Sequence, residues 1–326
     1  MPTPTAEQLA TIETLNSVLF PYAARKRKEM IDGNGRFVHY TSAENALNII
    51  KSKCVWMRNT TCMTDYREVH HGYDALRRYF ANEPTRQAFN SALNECHAGI
   101  AEEAIASFDQ AWQSTQHQTY ITSISEHDDH EDVHGRLSMW RAFGNSTARV
   151  AIVLKLDLGL GKNVSLGAEL SPVGYFTDVE LAHEFDAVVA NIRENKEFLC
   201  GIGRTWFLTS VLAMLTSGVV CLKHEGFGEE REWRVIHSPG RHSAQHIQPS
   251  IEVVSGVPQR VYKISMRSDA GAGLTGLDPN ELIDRIIIGP TQYPFAMYEA
   301  FVSALTDIGF ADAPKRVFNS QIPVRT

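Results

Sequence analysis

Glu230-Arg231-Glu232-Trp233-Arg234-Val235-Ile236 sets two carboxylates two residues apart at the head of a β-forming run. Side chains alternate along a strand, so this spacing sends Glu230 and Glu232 to one face and Arg231 and Trp233 to the other. Like charges on one face repel unless water, a cation or a substrate lies between them. An ionised pair facing a cleft can stabilise positive charge developing on a substrate, or grip its hydroxyl groups. The same residues also read as a solvated strand end, with Glu232 or Glu230 paired to Arg234 or Arg231. On either reading the run is a late strand, and its neighbours set the fold.

Further strands are predicted at Val219–Leu222, Val261–Met266, Arg285–Ile288 and Arg316–Phe318, with a helix over Phe295–Ile308. The first half alternates less regularly. A helix spans about Ala6 to Ile31, and its basic end, Arg25-Lys26-Arg27-Lys28, suits the helix dipole without calling for nucleic acid. Asp32-Gly-Asn-Gly breaks it, and Arg36–Tyr40 follows as a strand. Ser42 caps a helix that turns Ala46, Leu47, Ile49 and Ile50 inward, and Cys54–Met57 is the next strand. Asp65 opens a helix to Phe80, Pro84–Ser114 is helical, and Tyr120–Ser125 is a strand. Leu137–Phe143 is a short helix stopped by Gly144. Strands at Val150–Leu156 and Pro172–Thr177 precede a helical stretch, Asp178–Thr216, broken near Gly201 and Gly203. Helices and strands mixed without regular alternation give an α+β fold with mainly antiparallel strands and flanking helices. Residues 1–34 read as an N-terminal helical extension. Residues 35–326 read as one domain with a helical insertion around 178–216.

The bulk properties narrow the function classes. The 326-residue chain has no apolar run of membrane-spanning length, since Phe207–Leu215 is too short and carries hydroxyls. Met1-Pro-Thr-Pro-Thr lacks the features of a secretion signal, so a cytoplasmic protein without membrane contact is expected. Five scattered cysteines (Cys54, Cys62, Cys96, Cys200, Cys221) form no close pairs and read as reduced thiols. A formal net charge of -7 argues against broad nucleic-acid binding, although two or three arginines suffice for a phosphate-bearing ligand. Neither a nucleophile elbow nor a Walker or dinucleotide loop occurs, and the glycines of Ser268–Gly276 are too irregular for one.

His127-Asp128-Asp129-His130-Glu131-Asp132-Val133-His134 is the evident metal candidate. On a helix, its three histidines would share a face. The run sits in a loop before the Leu137 helix, where acids suit the helix N-terminus, and its spacing matches no established zinc motif. No metal is expected, and a metal-dependent hydrolase or nuclease is a further alternative for the function.

Several short motifs, taken in order, resemble an uncharacterised bacterial family, domain of unknown function 2971. They are His39-Tyr40-Thr41-Ser42, Val55-Trp56, Thr64-Asp65 with Glu68, and Ser123-Ile-Ser125-Glu126. Met139-Trp140-Arg141-Ala-Phe143-Gly144, Lys223 with Glu230-x-Glu232-Trp-Arg234, Ile287-Ile-Gly289-Pro and Ser320-x-Ile-Pro-x-Arg325 follow. The chain departs from that family at Met63, where Asn is usual. A second resemblance is to ADP-ribosyltransferases, through His39-Tyr40-Thr41 on the first strand, Ser123-Ile-Ser125 mid-chain and Glu230-x-Glu232 on a late strand.

That second resemblance implies an enzyme that consumes NAD as its substrate, by transfer of ADP-ribose or by hydrolysis, in a bacterial toxin or phage-defence effector. Cleaving nicotinamide from ribose builds positive charge on the anomeric carbon, which a carboxylate can stabilise. Glu232 takes that role, and Glu230 orients the acceptor or removes its proton. His39 bonds ribose or phosphate, with Thr41, Ser123 and Ser125 beside it, and Tyr40 or Trp140 stacks on a flat ring. Arg58, Arg141 and Arg234 are candidates for the pyrophosphate. Trp140 and Phe143 also have the spacing of core residues, His39 also reads as a core histidine, and Arg234 also reads as the neutralising partner of Glu232. The acceptor, protein or nucleic acid, is open. The alternative function is a non-catalytic nucleotide-sensing or protein-binding module with a defence-system partner protein.

Overall fold

A computed structural model describes residues 5–62, 67–142, 148–240 and 245–323. Met63, Thr64, Asp65, Phe143, Gly144 and Arg325, with the side chain of Glu68, lie outside the described residues. In chain order the elements begin with α1 (Ala6–Leu19), α2 (Pro21–Asp32), β1 (Arg36–Ser42), α3 (Ala43–Ser52), β2 (Cys54–Asn59), α4 (Arg67–Ala81), α5 (Glu83–Cys96) and α6 (Ile100–Gln118). Next are β3 (Tyr120–His127), α7 (Leu137–Ala142), β4 (Arg149–Leu154), α8 (Leu160–Leu166), β5 (Glu169–Pro172), α9 (Asp178–Glu194), α10 (Lys196–Gly201) and α11 (Arg204–Val220). The last are β6 (Glu232–His237), β7 (Ile247–Val254), β8 (Val257–Ser265), α12 (Pro279–Leu282), β9 (Ile283–Ile288), α13 (Pro294–Asp307) and β10 (Val317–Asn319). The fold is α+β, with one mixed sheet in which only the described pair β9–β10 runs parallel.

Local chemistry fixes several boundaries. Ser42 does cap α3, its hydroxyl accepting from the Asn45 amide, and Ala46 and Ile50, four apart, bury themselves against β4 and α13. Thr177 and Glu180 form a reciprocal capping box at the start of α9. Pro21 at the first turn of α2 splits the expected N-terminal helix in two. Two expected strands are corrected. Val219 and Val220 continue α11, where Val211, Leu215 and Val219 share a buried helical face, and the strand near Pro172 ends at that residue and begins at Glu169. The β7 strand carries no clear sequence signal, since Pro249 interrupts it, and it lies at the sheet edge where proline is tolerated.

The helices gather into one apolar core in which Leu15, Val18 and Leu19 of α1 meet Phe89, Phe207, Leu215 and the stacked rings of Tyr73 and Trp112, 4.6 Å apart. A second core lies between α3, α13 and the strands β4 and β9. The sheet order is β10-β9-β4-β1-β3-β2-β8-β7, with β6 and β5 added beyond β3. Strand β3 is the junction. Along one edge it pairs with β6 from Tyr120 to Ser125. On the other it pairs with β2 only through Tyr120 and Ile121, and with β1 only from Ser125 to His127. Strands β1 and β2 therefore splay apart beside Thr122, Ser123 and Ile124.

Candidate functional site

Paired residues of antiparallel strands put their side chains on one face. The register Val38–Ser125–Glu232 and Ser123–Arg234 thus brings β1, β3 and β6 together on one surface, with Arg58 opposite Ile121 on that same surface. The Ser123 hydroxyl donates to Oε1 of Glu232, diagonally across the β3–β6 ladder. From β1, Nδ1 of His39 contacts the Ser123 carbonyl at 2.8 Å, in the gap where β1 leaves β3. Burial lowers the His39 pKa despite that bond, so the ring is neutral. A carbonyl only accepts, so Nδ1 carries the proton and Nε2 is left as an acceptor. Three motifs remote in sequence therefore converge on Ser123, Glu232 on its hydroxyl from the Val38 face and His39, which alternation sends to the opposite face, on its main-chain carbonyl.

Glu232 is 7% exposed and heavily partnered. Arg234 grips it with Nε at 2.8 Å and Nη2 at 3.1 Å, and Lys223 Nζ lies 3.5 Å away. Burial works to raise its pKa, but the charge and hydrogen bonds of Arg234, with Lys223 and Ser123, outweigh it and hold the carboxyl at about 2. Its amide donates to the Tyr175 hydroxyl at 2.9 Å, and burial together with the Glu232 charge pushes that phenol's pKa up.

Glu230 corrects the strand reading. It ends a 3-10 segment, Glu225–Glu230, and the strand starts at Glu232, because Arg231 adopts a left-handed φ of 46°. The partition by face survives. Glu230 reaches Lys223 at 2.6 Å, on the side of Glu232, while Arg231 and Trp233 both bond Glu126, at 3.0 Å each. A cation thus separates the two carboxylates, which the sequence pattern left as one of three options. Lys223, buried and central, appeared in the sequence only as a motif letter; its role was not legible.

Other expected site residues fall differently. Tyr40 and Trp140 are buried and packed edge to face at 4.8 Å, and the Tyr40 hydroxyl accepts from the Arg136 amide at 2.7 Å. Both rings are committed to the core beneath α7, with Trp140 Nε1 donating to the His134 carbonyl at 2.7 Å. Arg234 is 2% exposed, donating to Glu232 and the Val220 carbonyl, so it serves the acid and not an outside pyrophosphate. Ser125 is buried beside Glu232, and Thr41 is buried with its hydroxyl accepting from Asn45 at 3.4 Å. Arg141 is exposed on α7. Arg58 is half-buried and donates to neutral acceptors, Gln259 Oε1 at 3.2 Å and the Cys62 carbonyl; no carboxylate pairs with it among the described residues.

The His127–His134 run is an ion-pair network. Asp128 holds Arg231, Asp129 and Asp132 hold Arg36, Glu131 holds Arg136, and Asp132 also holds Arg285. His127 bonds Asp132 at 2.9 Å and His134 contacts the Ser320 carbonyl at 2.6 Å. Among the described residues no three His, Cys, Asp or Glu side chains gather with metal-site geometry. A polar cavity of about 610 Å³ lies beside this network, lined by Arg36, Asp132, Lys155, Asp284 and Arg285. It is at the far end of β1 from Thr41. No helix of the described residues is long and apolar enough to cross a membrane.

No curated protein and no solved structure matches the chain, so no match bears on ADP-ribosyltransferases. A family match covers a shorter span than the ordered motifs suggest, leaving out His39-Tyr40 and Ser123-Ser125. Residues 139–235, from the Met139-Trp140-Arg141 helix to the Glu230-x-Glu232-Trp-Arg234 strand, match the model of the DUF2971 family, described as a protein of unknown function.

Proposed function

We propose that the protein is an NAD-consuming enzyme of the ADP-ribosyltransferase type, with its site where β1 and β2 splay from β3. The observation that carries this reading is the convergence on one residue of β3 of His39, at the Ser123 carbonyl, and Glu232, at the Ser123 hydroxyl. An ionised carboxylate is what an oxocarbenium-like transition state requires, and Glu232 stays ionised throughout the neutral range. Ser123 and Arg234 fix its orientation, so little reorganisation accompanies charge development. The free Nε2 of His39 accepts from a ribose hydroxyl, and Arg58, unmatched by any described carboxylate, offers a fork of donors to the pyrophosphate. Glu230, one-quarter exposed, sits on the side from which an acceptor approaches. The test is free nicotinamide, measured after incubation of the protein with NAD and candidate proteins, DNA and RNA. Release that falls at least a hundredfold in Glu232→Gln supports the reading; no release, or equal release from Glu232→Gln and Glu230→Gln, rejects it.

A second reading has its own support. Glu232 is almost fully enclosed and every oxygen has a partner, which also suits a structural acid in a non-catalytic nucleotide-sensing module. It predicts thermal stabilisation by a nucleotide without turnover. Nucleotide ligand, bacterial defence context and partner protein belong to these proposals.

A further inference from the structure

We infer that Lys223 is a positioning residue for the two carboxylates: its ammonium ties Glu230, on the exposed 3-10 segment Glu225–Glu230, to buried Glu232, and so draws that segment over the acid. The functional meaning rests on the reading above, while the geometry stands without it. Lys223 is 6% exposed, with Nζ 2.6 Å from Glu230 Oε2, 3.5 Å from Glu232 Oε2 and 4.7 Å from the Phe227 ring centre. Glu232 thus has two differently occupied sides. Its Oε1 takes Ser123 and Arg234, while its Oε2 takes Arg234 and faces Lys223.

Arg136 donates to the carbonyls of Glu229 and Glu230 at 2.9 and 3.1 Å, and His224 Nδ1 accepts from the Gly226 amide at 3.0 Å. Most of the segment's side chains are exposed, Phe227 at 41%. It rejoins the sheet through Arg231 in the left-handed region, a conformation unfavourable for a residue with a Cβ, so contacts elsewhere must hold it there. A buried ammonium is retained only when paired, and here one ammonium satisfies two acids that would otherwise repel. Lys223 therefore sets both how far the carboxylates stand apart and how tightly the segment lies on Glu232.

The test uses the full chain without ligand, as wild type, Lys223→Met, Lys223→Arg and Glu230→Gln. Amide hydrogen exchange over residues 225–230, read by mass spectrometry, should quicken by about tenfold in Lys223→Met and Glu230→Gln and stay near wild type in Lys223→Arg. The carbon-13 titration of the Glu232 carboxyl should move upward in Lys223→Met but not in Glu230→Gln, where Lys223 keeps Glu232 as a partner. That split is the signature of positioning, since simple loosening moves both variants alike. Unchanged exchange in both Lys223→Met and Glu230→Gln, or a Glu232 titration that ignores Lys223→Met, overturns the inference. Glu230 is partly exposed, so its variant keeps the test decisive if Lys223→Met fails to fold. Neither readout involves NAD, so this result and nicotinamide release fail separately.

Discussion

Replacing Arg234 by Met probes the electrostatics of the site most sharply. Arg234 is 2% exposed and gives Glu232 two bonds, at 2.8 and 3.1 Å. Holding this carboxyl at about 2, against an ordinary 4.5, corresponds to about 3 kcal/mol of stability at pH 7. The sign follows from the depressed value: the contribution is complete above about pH 4.5 and is lost as pH falls from there toward 2. Removing one partner of a buried ion pair costs about 3–5 kcal/mol, because the remaining charge is left uncompensated. Arg234→Met should therefore lose that amount in urea unfolding at pH 7, followed by tryptophan fluorescence. Without the guanidinium the Glu232 pKa climbs, so acidification to pH 4.5 protonates it and narrows the gap to wild type. Adding Glu232→Gln should recover part of the loss at pH 7. A cost below about 1 kcal/mol, identical at both pH values, refutes the electrostatic account.

Three further outcomes follow from the packing and the charge network. Gly289→Ala sets a Cβ 2.8 Å from the Trp140 ring and 3.2 Å from the Arg149 carbonyl, and should cost about 1–3 kcal/mol in thermal unfolding. Asp284, which binds Arg36 at 2.7 Å and Lys155 at 2.8 Å, has its pKa held below 3.8 by these partners against the opposing effect of burial. Asp284→Asn should lose about 3 kcal/mol near neutrality, and the difference from wild type should shrink as pH falls below 3.8. Prolonged treatment with EDTA should leave the unfolding midpoint in place, since the carboxylates at 128–132 already face Arg36, Arg136, Arg231 and Arg285; a fall of several degrees would contradict that assignment.

What was legible in the sequence was mostly local. The apolar run at β4, the Ser42 cap and the β-forming run Tyr120–Ser125 each state their structure within a few residues, and the structure follows them. The face-sharing of Glu230 with Glu232 was also readable, even though Arg231 turns left-handed and shortens the strand. Errors arose where tertiary contacts overrule local preference. Val219-Val220 has strand-forming side chains, yet it stays helical because the end of α11 is held on two sides, Val219 in the core shared with α4 and α6 and Val220 against Ile121 and Ile236 of the sheet. The His127–His134 run gave no sign that its acids would meet arginines from positions 36, 136, 231 and 285. Arg234 lies against Glu232 while Trp140 lies in the core with Tyr40, and composition does not tell a buried guanidinium that serves one acid from one that awaits phosphate. The role of Lys223 emerges only when the 3-10 segment folds back onto β6.

A crystal structure of Glu232→Gln grown with saturating NAD tests the central claim most directly. The account predicts the nicotinamide ribose at the splay of β1 and β2, within hydrogen-bond reach of His39 Nε2 and residue 232, with the pyrophosphate against Arg58. NAD in the polar cavity by Asp284, or an unoccupied splay at saturating ligand, would contradict it.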